Sequence, residues 1–148
     1  MWTLILLALV AVTGIAQEFR VEGAVLTPLR LTPKELGRMA RTSATLTRDG
    51  RSVKYDGVLL RDVLQLAGLG ELRGPALANF VLAEATDGYR VVFSLAELDG
   101  QFGDNPVFLA DHAAGEPLKE LRLVVPRDER AARSVRMLVR LAVMAPAP

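Results

Sequence analysis

Apolar and polar positions along this chain fall into short runs, most of them closed by a glycine, a proline or an Asp-Gly pair. From Phe19 to Leu26, FRVEGAVL alternates in part, which suits a strand with one buried face. In LTPKELGRM, Thr32 is an N-cap, Pro33 takes the first helical position and Glu35 completes a capping box, so Leu36 and Met39 point inward. The longest organised stretch is Arg41 to Gly68. It reads as a Thr-rich strand, a tight turn at Asp49-Gly50, a second short strand and an amphipathic helix. That helix carries Val58, Leu59, Val63, Leu64, Leu66 and Ala67 and stops at Gly68. After a loop at LGELRGPAL, Phe80–Ala85 and Tyr89–Ser94 form a hairpin about Thr86-Asp87-Gly88. Ser94 then caps one helical turn, with Glu97 as the partner of a second capping box. Val107–Ala110 is a short buried strand, Asp111–Pro117 a turn, and Leu121–Val125 a strand ended by Pro126. A charged connector, Arg127–Arg133, leads to a closing strand over Ser134–Val143.

Many short strands with a few brief helices, and no regular strand–helix alternation, predict an α+β domain that is mostly β. At 148 residues the chain is long enough for one core. We expect a single domain over residues 17–144, with 145–148 as a frayed tail. The first sixteen residues, MWTLILLALVAVTGIA, stand apart. They carry no charged side chain and are shorter than the roughly 20 residues a membrane span needs. Leu4–Val12 reads as the apolar core of an export signal, and Gly14-Ile15-Ala16 supplies small residues before Gln17. A cleaved signal over 1–16 is the expectation. An uncleaved anchor or a buried N-terminal helix are its alternatives.

Charge and composition narrow the chemistry. The formal net charge is +1, which argues against nucleic acid as the main partner. There is no cysteine, so disulfides and thiolate zinc sites are excluded. Nucleotide-binding glycine motifs, zinc-protease motifs and nucleophile elbows are missing. The single histidine, His112, falls in the predicted turn beside Asp111 and is expected to be solvated surface. Glu84, Asp87, Glu97, Asp99 and Asp104 are scattered over caps and loops, with no pair spaced for acid–base work. Tyr55 and Tyr89 are expected at strand–turn junctions, with their rings covering the core.

One cluster has ligand-binding character. Arg127, Arg130, Arg133 and Arg136 surround Ser134 within ten residues. Guanidinium groups with a hydroxyl and free backbone amides suit a phosphate or another small oxyanion. Asp128 and Glu129 partly neutralise the run, and a solvated connector is the competing reading.

Several blocks, in order, resemble the molybdopterin-binding domain of the sulfite oxidase family. They are Leu36 with Arg41-Thr42; Tyr55-Asp56-Gly57-Val58-Leu59-Leu60-Arg61-Asp62-Val63-Leu64 with Ala67-Gly68; and Ala85-Thr86-Asp87-Gly88-Tyr89. Leu109-Ala110, Gly115-Glu116-Pro117-Leu118, Leu121 to Pro126 and Arg133-Ser134-Val135-Arg136 follow. The resemblance implies a sulfite-oxidase-type fold and places contacts to the cofactor's phosphate on Arg133, Ser134 and Arg136; Arg130, from the basic cluster, completes the expected cofactor-binding set. Family enzymes hold molybdenum through the cofactor's dithiolene and one protein cysteine after the Thr-rich strand. Here Thr45-Leu46-Thr47 is followed by Arg48-Asp49-Gly50. A protonated guanidinium cannot replace a soft thiolate on a metal.

These readings together predict a periplasmic or secreted, oxidoreductase-like domain that binds a pterin (molybdopterin) or a small oxyanion, or serves as an interaction module for a periplasmic protein. No catalytic or metal-ligating residue is assigned. Membrane attachment is expected only if the signal stays uncleaved. The alternatives are a molybdopterin-dependent oxidoreductase whose metal is held without a protein cysteine, and a structural domain with a collapsed pocket.

Overall fold

The computed structural model describes residues 18–148; the predicted export signal lies outside them. Among the described residues nine strands form two sheets, accompanied by three short helices. The five-stranded sheet contains β1 (Phe19–Gly23), β2 (Leu29–Leu31), β5 (Phe80–Ala85), β6 (Arg90–Ser94) and β9 (Leu138–Met144), in the order β2-β1-β9-β5-β6. The four-stranded sheet runs β3 (Thr42–Arg48), β4 (Arg51–Leu59), β7 (Phe108–Ala113), β8 (Glu116–Val124). All pairings are antiparallel except β1 with β9. The helices are α1 (Pro33–Leu36), α2 (Leu60–Leu66) and α3 (Leu95–Leu98). The architecture is mostly β, as the pattern of short runs predicts.

The main core joins the inner faces of both sheets to α2. Val21, Val81, Phe93 and Leu141 come from the five-stranded sheet, Leu109 and Leu123 from the other, and Leu60, Val63 and Leu64 from α2. Each is at most 1% exposed, so each contributes roughly 1.5–3 kcal/mol of burial. A smaller cluster of Phe108, Ala110 and Val124 lies against Ala44, Leu46, Tyr55, Leu59 and Leu118. These residues share the opposite face of the four-stranded sheet, as the pairs Ala44↔Tyr55, Leu59↔Phe108 and Phe108↔Val124 require.

Local chemistry explains most of the elements. Thr32 and Glu35 form the expected capping box on α1, with Glu35 N–H donating to Thr32 Oγ1 at 3.3 Å and Thr32 N–H to the Glu35 carboxylate at 2.7 Å. The β3–β4 hairpin turns at Asp49-Gly50, both at positive φ (51° and 73°), as a tight two-residue turn demands.

Five expectations need correction, and one strand, β2, was not expected. The amphipathic helix starts at Leu60; Val58 and Leu59 remain in β4, paired with Leu109 and Phe108. β2 arises from a three-residue run too short to give an alternation signal. β1 stops at Gly23, whose φ is +94°. The closing strand begins only at Leu138, because Met137 sits at φ +55° and breaks the extended run. The predicted turn over Asp111–Pro117 shrinks to Ala114-Gly115 (φ 51° and 80°), so Asp111 and His112 belong to β7 and Pro117 to β8. A proline near the start of an edge strand forfeits no ladder bond, and β8 is such an edge. Finally, Tyr55 lies mid-strand in β4 over the smaller cluster, while Tyr89 is 48% exposed and its hydroxyl donates to Ala132 O at 2.6 Å.

Candidate functional site

The residues of the predicted oxyanion cluster go to different tasks. Arg133 clamps the connector. Its Nε and Nη2 each donate to a different oxygen of Asp128 at 2.8 Å, and its Nη1 donates to Glu97 at 3.1 Å. The guanidinium also lies 4.7 Å from the centre of the Phe93 ring. The hydrogen bond from Arg133 holds the Asp128 carboxyl below its ordinary range. Glu97 therefore does not close the second capping box. Ser94 Oγ accepts from Glu97 N–H at 3.0 Å, but the Glu97 carboxylate turns to Arg133. Ser134 is 5% exposed, and its hydroxyl accepts from Val125 N–H at 3.3 Å. Arg127 donates to Gly103 O. Arg130 and Arg136 are exposed, with no side-chain partner among the described residues.

Two arginines outside the predicted cluster join Arg136. Arg122, on β8, lies opposite Ala110 on the face that carries Tyr55, and its guanidinium is 5.2 Å from the centre of that ring. Its Nε is buried without a hydrogen-bond partner among the described residues. Burial pushes its pKa down; Tyr55 opposes this, and the like charges of Arg136 and Arg48 add to it. It forms no ion pair with a carboxylate among the described residues. Arg48 ends β3 and donates to Glu129 O at 3.2 Å, which ties the connector to the same face. The sequence held one signal for Arg122, a charged residue among Leu121, Leu123 and Val124 in a strand run. Arg48 gave none, because its neighbours on this face come from other strands.

This face offers donors and positive charge, which suits an anion. It does not offer a metal site. The chain contains no thiolate, no group of histidines and carboxylates among the described residues could hold a metal, and Arg48 stands at the end of the Thr-rich strand.

The family model for the oxidoreductase molybdopterin-binding domain matches residues 11–147. The chain belongs to that family. The match begins inside the stretch read as an export signal. No curated protein matches. Among solved structures, the sulfane dehydrogenase SoxCD from Paracoccus pantotrophus superposes with a TM-score of 0.68 at 26% identity. The match covers 86% of this chain but 38% of that one, so this molybdopterin-binding domain spans well under half of its structural neighbour. The two-sheet architecture is accordingly the molybdopterin-binding fold. The family implies molybdopterin as the ligand.

Proposed function

We propose that this protein is an exported molybdopterin-binding-family domain that holds a pterin phosphate or another small oxyanion without thiolate-ligated molybdenum catalysis. Arg122 carries the reading. A half-buried guanidinium with an orphaned Nε, beside two more arginines, is costly until an anion joins it. Arg122, Arg136 and Arg48 would hold the phosphate, with Arg130 on the adjoining connector. Arg133 and Ser134 act indirectly, by fixing the segment that positions Arg136. A bound molybdopterin supplies a dithiolene able to carry metal; the residues here bind and orient its anionic arm.

A second reading has one observation in its favour, the likeness to a sulfane dehydrogenase. In it the domain is a molybdopterin-dependent oxidoreductase whose metal is held by the dithiolene alone or with a ligand from a partner subunit.

The test uses full-length protein from a molybdenum-replete, cofactor-producing host, analysed for metal and for fluorescent pterin oxidation products. The expected result is bound pterin, or phosphate-dependent thermal stabilisation, with molybdenum far below stoichiometric. Pterin with stoichiometric molybdenum overturns the reading in favour of the second. Neither pterin nor phosphate stabilisation leaves an interaction module for another exported protein.

A further inference from the structure

We propose that a cavity on the other face of the four-stranded sheet binds a small organic cation, an amine on an apolar body. The cavity holds about 700 Å³, within the usual size of small-ligand sites. Its walls are apolar, from Phe19, Leu31, Leu118, Leu121, Met137 and Leu138. Asp56, Asp111, His112 and Arg41 line it as well, with Lys119 and Glu120 also contributing. Its carboxylates lie on the side away from the arginine face, since Asp56 and Tyr55 are consecutive in β4 and point to opposite sides of the sheet; Leu118, on the edge strand β8, touches both sides.

The polar groups have a definite hydrogen-bonding sense. Arg41 donates to both oxygens of Asp111, at 2.9 and 2.5 Å. Burial works to raise the pKa of Asp111, but the bonds from Arg41 and His112 outweigh it and the carboxyl is held below its ordinary value. An ionised Asp111 can only accept. His112 Nδ1, 2.8 Å from it, is therefore the donor, and in that tautomer of the imidazole Nε2 is an acceptor without a partner among the described residues. Asp56 is the direct cross-strand partner of His112. Among the described residues its carboxylate makes no hydrogen bond, only a loose 3.9 Å ion pair with Lys54. Two unspent acceptors thus stand side by side next to apolar walls. The lining carboxylates Asp56, Asp111 and Glu120 outnumber the cations Arg41 and Lys119. A ligand that fills this site must bring donors and positive charge, and an ammonium on an apolar ring or chain does both.

His112 is the chain's single histidine, so its imidazole proton signals report on the cavity alone. The test titrates full-length protein with benzylamine, and separately with benzyl alcohol and benzoate as neutral and anionic counterparts. Benzylamine should shift the imidazole signals saturably, with the other two at least about tenfold weaker. Asp56→Asn, with its fold checked by circular dichroism, should weaken benzylamine binding about tenfold. His112→Phe, followed by thermal stabilisation, should weaken it as well. Equal binding of all three probes, no saturable shift with benzylamine, or affinity unchanged in both variants would overturn the proposal.

Discussion

Arg133 meets Asp128 through two parallel bonds of 2.8 Å, while the same guanidinium packs on Phe93. One side chain thus ties the connector after β8 to β6 and, through Glu97, to α3. Both partners are less than a third exposed, so the pair escapes part of the screening that weakens surface ion pairs. Arg133→Ala is expected to lower stability by about 1–2 kcal/mol in urea unfolding. Arg133→Lys should recover little of it, since an ammonium offers neither the fork nor the stacking plane.

The same pair predicts a pH dependence. The Asp128 carboxyl is held down by Arg133, so its folded pKa lies below the unfolded one. Its contribution is fully present above the unfolded value, about 4, and is lost as pH falls through the folded value. Stability should therefore fall more steeply below about pH 4 in the parent than in Asp128→Asn, when both are followed by thermal unfolding. Parallel acid limbs in the two proteins would show that the ion pair contributes nothing.

Ser134 and Arg136 separate a structural role from a binding one. Ser134→Ala leaves the buried Val125 N–H without its acceptor and should cost about 1–2 kcal/mol. Phosphate-dependent stabilisation should persist in that variant. Arg136→Ala, at an exposed side chain, should leave stability in buffer within about 0.5 kcal/mol and reduce the response to phosphate. The opposite pattern would return the binding role to Ser134.

The elements most legible in the sequence are those fixed by local chemistry. The Thr32–Glu35 box and the Asp49-Gly50 turn depend on neighbours within four residues, and both form as expected. The misread elements depend on distant partners. Whether Asp111 and His112 form a turn or a strand is decided by β4 and β8, which pair with them across the sheet. Glu97 has the spacing of a cap partner, yet an arginine 36 residues away takes its carboxylate. The candidate site follows the same rule. The run Arg127–Arg136 was visible as a dense basic stretch, but Arg48, which donates to Glu129 O, and Arg122, on which the Arg136 charge acts, come to it only through sheet packing.

The proposed export signal makes a prediction of its own. Protein recovered from an exporting host should begin at or near Gln17, as read by N-terminal sequencing. An intact Met1 on material in the membrane fraction would favour the anchor.

Gly57 marks a close approach of two strands in the four-stranded sheet. A Cβ built there would lie 1.7 Å from Leu109 O, a backbone atom of the neighbouring strand. The register between β4 and β7 shifts at this point, next to Asp56. Backbone cannot rotate aside as a side chain can, so Gly57→Ala must part the two strands. A cost of at least about 3 kcal/mol is expected, beyond ordinary overpacking. Gly50 is the control, because nothing lies within 4 Å of a Cβ there and only its φ of +73° resists. Gly50→Ala should cost about 1 kcal/mol. Chemical denaturation of the two variants side by side tests the register directly. A Gly57→Ala protein no less stable than Gly50→Ala would mean that the strands do not approach this closely.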